Sequence, residues 1–511
     1  MKKHIHPPLL WRRIVIIVLL ILQLLLIVYT LLSRSMVSTA VSSGLGLFSI
    51  FVCLYIISRR DKDAYKLTWV FLIMLFPLFG GVFYLLCRIR PFYGRLPGAI
   101  TRTDEKMKAA YAMGGSACDD FCIHFPHHAA KAKYLENATG FPLYDNTQTK
   151  YLTPGEEKFR CLVEELQKAE KYIFLEYFII REGIMWDTIL DILKEKAAQG
   201  VKVRLIYDDF GCFFLLSRDY PAELKKYGIE CVVFNPLRPV LSAVQNNRDH
   251  RKIAVIDGKV AFTGGINLAD EYINTYEKHG HWKDASIMVT GRAAWSFTLM
   301  FLKMWELCTG TDEDYLTYYP WIDIPCPTAK NGFVQPYADS PLDSENTGEQ
   351  VYLSIISGAK DYIYINTPYL IIDNGMMTAL CHAAKSGVDV RIVTPHKWDK
   401  WMVHMTTRSY YRELIQAGVK IYEYTKGFIH SKTFVSDDSI ATVGTVNLDY
   451  RSLYLHFECG AVLYGSSAVT EVKEDFLSTL SICQPISEED CKCSFFMKIF
   501  QDVMRLFAPL L

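Results

Sequence analysis

The sequence predicts an α/β protein of two duplicated lobes preceded by N-terminal transmembrane helices. Three observations carry this expectation: a helix–strand series that occurs twice, a histidine–lysine constellation closing each copy, and long apolar runs gathered near the amino terminus.

The apolar runs come first. Ile14 to Leu32 is interrupted only by Gln23, Tyr29 and Thr30, and at about 1.5 Å per residue it is long enough to cross a bilayer. Lys2, Lys3, Arg12 and Arg13 precede it, as they would a signal peptide, but the run is longer than a signal core and two more follow at once. These are Met36 to Ile57 and Leu67 to Leu86, giving three spans, or two spans and a re-entrant segment turned by Pro77, Gly80 and Gly81. The basic residues of the first end and Arg59, Arg60, Lys62 and Lys66 favour the cytoplasm together, whereas Arg88, Arg90 and Arg95 pull the other way. Charge therefore leaves the side of the remaining chain open.

With 511 residues the chain exceeds one ordinary core. The expected organisation is a membrane region over 1–95, a linker over 96–133, a first lobe over 134–323, a linker over 324–349, a second lobe over 350–483 and an amphipathic tail over 484–511. Lys+Arg and Asp+Glu balance at 55 each, so no global basic field recruits nucleic acid. The 14 cysteines form no compact disulfide framework. Cys118, Cys122, His124, His127 and His128 crowd together at spacings that match no common zinc pattern, and no metal site is assigned to them.

Within the lobes, Phe159, Leu162, Val163 and Leu166 predict a helix over Glu156 to Ala169, and the aromatic and β-branched run from Tyr172 predicts a buried strand. A helix from Trp186 to Gln199 stops at Gly200, and Val201 to Tyr207 reads as a second strand. The series recurs as a strand from Tyr362, a helix from Met376 to Ser386, and Gly387-Val-Asp-Val-Arg-Ile-Val. After the second lobe, Phe495, Phe496, Ile499, Phe500, Val503, Leu506 and Phe507 fall largely on one helical face, suited equally to a lipid interface or to packing on the protein. Lys397-Trp-Asp-Lys-Trp401 mixes charge and aromatics and reads as a headgroup contact or as a surface loop.

Each lobe closes on the same constellation. The first is His250-Arg-Lys252, then Asp257 and Gly264-Gly-Ile-Asn267; the second is His430-Ser-Lys432, then Asp437 and Gly444-Thr-Val-Asn447. A single HxK means little, but two copies with identical offsets inside a larger repeat point to chemistry. In extended backbone, residues two apart share a face, so each histidine projects with its lysine. Gly264 and Gly444 permit a tight return that brings each asparagine back to the same pocket. If the lobes face each other, two imidazoles, two ammoniums and two amides converge, an arrangement suited to a phosphodiester. One histidine can attack phosphorus while the other protonates the leaving alkoxide, and the roles then reverse. Lysines and asparagines would stabilise the non-bridging oxygens. This scheme needs no metal and no cofactor.

These are similar to the paired HxKx4D motifs of the phospholipase D superfamily, a resemblance that covers residues 134 to 483 and implies a bilobed phospholipase D-like fold with a phosphohistidine intermediate. The resemblance makes His250 the nucleophile and His430 the general acid, with Lys252, Lys432, Asn267 and Asn447 at phosphate-binding positions. Asp257 and Asp437 complete the catalytic motif in a structural capacity. The family also sets an acidic residue behind each histidine: Glu458 is expected behind His430, and Asp284 behind His250. Gly265 stands where many relatives carry Ser or Thr, while Thr445 keeps the hydroxyl and is expected to bind phosphate, leaving the first half-site one donor short.

Further stretches, among them Tyr207-Asp-Asp-Phe-Gly211, Asn366-Thr-Pro-Tyr369 and Tyr424-Thr-Lys-Gly-Phe-Ile-His430, resemble bacterial cardiolipin synthases, as do the segment from Lys66 to Arg88 and the ending Arg505 to Leu511. That resemblance implies a multi-pass protein of the bacterial plasma membrane, with phosphatidylglycerol and other membrane phospholipids as partners and no nucleic acid. The implied reaction joins two phosphatidylglycerols and releases glycerol. A hydrolytic phospholipase D that yields phosphatidic acid is the competing enzyme, and a non-catalytic membrane scaffold the competing class.

Overall fold

The computed structural model describes residues 7–33, 35–88, 96–145, 147–238, 243–320 and 332–510. Lys2, Lys3, Arg90, Arg95 and the first part of the expected inter-lobe linker lie outside them. The chain divides into two compact units. One holds the described residues within 1–95, 236–247 and 499–511; the other holds those within 96–235 and 248–498.

In the first unit, α1 (Pro7–Leu32) and α2 (Met36–Ile57) contain the two stretches that, among the described residues, are long and apolar enough to cross a membrane. The third apolar run is instead two helices, α3 (Asp63–Leu75) and α4 (Pro77–Arg88), broken at Pro77, which supplies no N–H to continue α3. α4 folds back against α3 so closely that a Cβ on Gly80 would stand 2.8 Å from the Leu72 carbonyl oxygen and the Ile73 Cα. The lone Gln23 of α1 is explained here: its buried Oε1 accepts from the Leu78 and Phe79 amides at 3.0 and 3.1 Å, satisfying the start of α4. The tail helix Phe495–Phe507 is tied down at its end, where Thr68 Oγ1 donates to the Leu506 carbonyl (2.7 Å) and Phe507 meets Phe71 edge to face. Phe495 and Phe496 remain exposed, so the tail both packs on protein and keeps an apolar face open.

The second unit contains both lobes. The first sheet has β1 (Thr147–Leu152), β2 (Tyr172–Tyr177), β3 (Lys202–Asp208), β4 (Glu230–Phe234), β6 (Lys252–Ile256), β7 (Val260–Gly264) and β9 (Ser286–Gly291), in the order β1-β9-β7-β6-β2-β3-β4. The second has β10 (Phe333–Asp339), β11 (Tyr362–Asn366), β12 (Asp389–Pro395), β13 (Lys420–Tyr424), β15 (Thr433–Ser436), β16 (Ile440–Gly444), β17 (His456–Tyr464) and β18 (Cys483–Ile486), in the order β10-β17-β16-β15-β11-β12-β13-β18. Strand for strand the two orders correspond, with β18 an added edge. In each lobe three neighbouring strands run parallel (β2, β3, β4; β11, β12, β13) and the motif strands pair antiparallel beside them. The helix Ala294–Thr309 is buried along nearly its whole length among the strands of the first lobe, as an apolar helix without a polar stripe must be.

Two expected linkers contain regular structure. The stretch 96–133 is mostly helix, Leu96–Gly114, Cys118–His124 and the start of Ala129–Thr139. The described part of 324–349 contains β10, whose Phe333 to Asp339 pair with Tyr464 to Glu458. The polar, proline-containing run concealed a strand because Pro336 sits at the sheet edge, where its missing N–H costs no ladder bond.

Asp257 and Asp437, expected within the catalytic motif, close the far ends of β6 and β15. Each adopts a left-handed backbone (φ 53° and 51°). Asp257 accepts from the Glu170, Lys171 and Tyr172 amides at 2.8–2.9 Å, and Asp437 from Lys360, Asp361 and Tyr362 at 2.8–3.0 Å. Asp257 lies five residues beyond Lys252 along a strand, about 16 Å away, so it fixes the register of β2 against β6 and does not touch the reacting groups. Asp257→Ala is expected to lower stability by about 3 kcal/mol, since three amides lose a charged acceptor; thermal unfolding of the detergent-solubilised protein measures it.

Candidate active site

Each histidine sits where its strand is handed from one lobe to the other. β5 (Arg248–Asp249) pairs in parallel with the start of β17, and the His250 amide donates to the Phe457 carbonyl at 2.9 Å; two residues later the chain enters β6 of its own lobe. In the second lobe, β14 (Gly427–Ile429) pairs with β8 (His281–Lys283), and the His430 amide donates to the Lys283 carbonyl at 2.7 Å before β15 begins. Both lobes thus reach across to the segment of the other that holds its acidic residue, Glu458 within β17 and Asp284 one residue past β8.

That crossing overturns the expected pairing. His250 Nδ1 meets Glu458 at 2.9 and 3.0 Å, and His430 Nδ1 meets Asp284 Oδ2 at 2.7 Å. Glu458 and Asp284 do stand behind the histidines, but each serves the histidine of the opposite lobe. All four side chains are buried. A carboxylate on Nδ1 selects the tautomer with the proton there, leaving Nε2 as the free nitrogen.

The supports of the two carboxylates differ. Thr445 Oγ1 donates to Glu458 Oε2 and accepts from the Cys459 amide at 3.0 Å, so it holds the carboxylate instead of facing phosphate as expected. A Cβ on Gly265, the equivalent position, would stand 2.0 Å from Asp284 Oδ1. Gly265 is therefore the space Asp284 occupies and not a missing donor. Asp284 takes its hydrogen bond from the Ala285 amide at 2.8 Å, with the Trp282 indole N–H at 3.4 Å.

Lys252 and Lys432 are buried, each with Nζ donating to the carbonyl of the histidine two residues before it. Lys432 Nζ also stands 2.9 Å from His430 Nδ1. Burial pushes Lys252 down to about 8 and Lys432 to about 7. Burial, reinforced by Lys252 and Lys432, also holds the His250 imidazole well below its usual range, and burial with Lys432 carries His430 down to about 4 although Asp284 opposes the shift. With Glu458 and Asp284 already engaged by the histidines, a phosphodiester is the further negative charge that would favour the protonated lysines and histidines.

The asparagines are less alike than their motif. Asn267 Oδ1 accepts from the Ile179 amide at 3.1 Å, and its Nδ2 donates to Tyr272 OH at 2.6 Å, whereas the buried Asn447 Oδ1 has no protein partner. The sequence reading missed Tyr272, Trp282, Phe178 and His456. The Tyr272 and Trp282 rings lie 5.9 and 5.2 Å from His430; Phe178 and His456 lie 5.1 and 5.4 Å from His250. Trp282 and His456 each precede an acidic residue by two positions, the one signal that could have found them. His250, His456 and Glu458 bring ligand atoms within 4.8 Å of one another and could in geometry hold a cation. The ammonium charges of Lys252 and Lys432 beside His250 oppose one.

Two HxK segments meeting across a duplicated α/β fold, each histidine backed by a carboxylate, define the phospholipase D class of phosphodiester-cleaving proteins. The sequence matches the family described as cardiolipin synthase, PLD-like domain, over residues 162–287 and 352–480, and a phospholipase D-nuclease N-terminal family over 47–88. It is 37% identical over 479 residues to a cardiolipin synthase of Geobacillus kaustophilus (strain HTA426), covering 91% of this chain and 94% of that one. It is 43% identical over 461 residues to an uncharacterized protein of Streptococcus mutans serotype c, covering 90% and 99%. The crystal structure of a phosphatidylserine synthase from Haemophilus influenzae Rd KW20 shares the fold, with TM-score 0.56 at 15% identity over 74% of this chain and 97% of that one. The chain belongs to the cardiolipin synthase family. It is a phospholipase D-type phosphatidyltransferase, which sets aside the non-catalytic scaffold.

Proposed function

We propose that the protein joins two phosphatidylglycerols into cardiolipin and glycerol, with His250 as nucleophile and His430 as acid and then base. It would do so as a multi-pass protein of the bacterial plasma membrane, where both substrates lie. The observation that carries the reading is the pair of Nδ1–carboxylate contacts, which leaves both Nε2 atoms free for transfer. His250 Nε2 attacks phosphorus and the bond to the first glycerol breaks, its oxygen taking the proton of His430. Neutral His430 then removes the proton of the second lipid's terminal hydroxyl, whose oxygen attacks phosphorus and breaks the P–N bond. Lys252, Lys432 and Asn447 stabilise the non-bridging oxygens, and the anionic phosphate restores the proton affinity that burial takes from His430.

Burial of both histidines favours transfer over hydrolysis, because an occupied site leaves little room for water. Labelled phosphatidylglycerol in vesicles decides between them: cardiolipin with glycerol is expected, and phosphatidic acid alone would identify a hydrolase. The lysines also set a pH dependence. Each carries its charge below its shifted value (about 7 for Lys432, about 8 for Lys252) and loses it as pH rises. The KM for phosphatidylglycerol should therefore rise several-fold between pH 6.5 and 9, measured by initial rates at constant ionic strength.

A further inference from the structure

The two lobes carry exposed aromatic side chains on corresponding connections. β3 is followed by the helical turn Asp209–Cys212 and the residues after it, where Phe210 and Phe214 are 53% and 76% exposed. β12, its equivalent, is followed by the segment into the helix Trp401–Gln416, where Trp398, Trp401 and Met402 are 53%, 44% and 47% exposed. Both connections leave the carboxyl ends of parallel strands.

Both also reach the histidine pocket. The Phe210 ring lies 6.0 Å from the guanidinium of Arg248, two residues before His250 in β5. On the other side Lys400 Nζ lies 5.8 Å from the Tyr369 ring centre, and the Tyr369 ring lies 6.4 Å from Phe428, whose own ring is 6.1 Å from His430. The second connection is sorted by charge. Lys397 and Lys400 are exposed, while Asp399 is turned inward, accepting from Tyr369 OH at 2.6 Å and from the Lys400 amide at 2.7 Å. What faces outward is aromatic and cationic, the composition of a surface that settles among anionic headgroups.

We propose that Phe210, Phe214, Trp398, Trp401 and Met402 form a two-sided rim that seats the mouth of the active site in the interface of an anionic phospholipid bilayer. The inference rests on the reading that the substrate is a membrane phosphatidylglycerol. A diester at headgroup level can enter a buried pocket only if the mouth comes to the headgroups, and a rim on both lobes holds it there. The rim would act in addition to the apolar helices of the first unit.

The test uses the full-length protein and the double variant F214S/W398S, which leaves Phe210 and its contact with Arg248 untouched. Cardiolipin formation from phosphatidylglycerol vesicles is expected to fall about tenfold, while turnover of a short-chain phosphatidylglycerol below its micellar concentration stays within about twofold of wild type. Equal losses on both substrates, or no loss on either, would overturn the proposal. A second readout does not depend on the chemistry. The fluorescence difference between wild type and W398S, which isolates Trp398, should be quenched by vesicles of phosphatidylglycerol brominated near the glycerol end of the acyl chains. If that quenching is seen but no cardiolipin forms on any substrate, the rim stands and the proposed reaction fails; without quenching the rim itself is refuted.

Discussion

His250→Ala is expected to reduce cardiolipin formation by about 10⁴-fold or more and to abolish any covalent phosphatidyl-enzyme. The loss is large because the nucleophile is removed outright, and the neighbouring His456 is no replacement. It sits in β17 at another angle, its ring inclined 41° to that of His250, with Nδ1 3.7 Å from Glu458 and neither nitrogen in a hydrogen bond. His430→Ala should be similarly severe in steady state, since the same group serves as acid and base, yet its Nε2 forms no bond to phosphorus. Acid quench with lipid labelled in the phosphatidyl moiety separates the two roles. An adduct retained in His250→Ala and missing in His430→Ala would reverse the assignment.

Gly265→Thr should cost about 10³-fold in kcat with the fold intact. A Cβ here meets Asp284 Oδ1 at 2.0 Å and Cγ at 2.8 Å, so the carboxylate must leave its place behind His430. His430 would then keep its position but lose the group that fixes its tautomer, a change that elsewhere costs up to about 10⁴-fold. The substitution installs the residue found at the matching place in the second lobe, Thr445, which makes the result informative. There the hydroxyl supports a glutamate, whose longer side chain leaves room for it; an aspartate does not. Activity within threefold of wild type, with an unchanged melting temperature, would show that the Asp284–His430 contact is dispensable.

The duplication was legible because it is written in local order: strand, helix, strand, then HxK at fixed offsets, each governed by nearby residues. The two HxK segments were legible in this way, whereas the acidic residues Glu458 and Asp284 were expected only from the family resemblance. Which acid serves which histidine was not legible. Glu458 follows His430 in the chain just as Asp284 follows His250, and only the pairing of β5 with β17 and of β14 with β8 reveals the exchange. Thr445 was misread for a related reason. A hydroxyl one residue past the motif glycine can face phosphate or its own sheet, and the choice depends on Glu458 lying alongside. The helices of 96–133 were hidden by polar composition, and β10 by Pro336, both cases where packing partners distant in sequence decide the structure.

The exchanged carboxylates bear on how such a chain is inherited. A lobe encoded alone would carry a histidine without its acid and an acid without its histidine, so two copies would have to associate before either worked. Fusing the copies makes that association permanent and lets them diverge, Asp beside Gly in one and Glu beside Thr in the other. Divergence would then proceed under a crossed constraint: a change at residue 458 would be felt at residue 445 in its own lobe and at His250 in the other. The two halves can drift apart in sequence, yet neither can be replaced without the other.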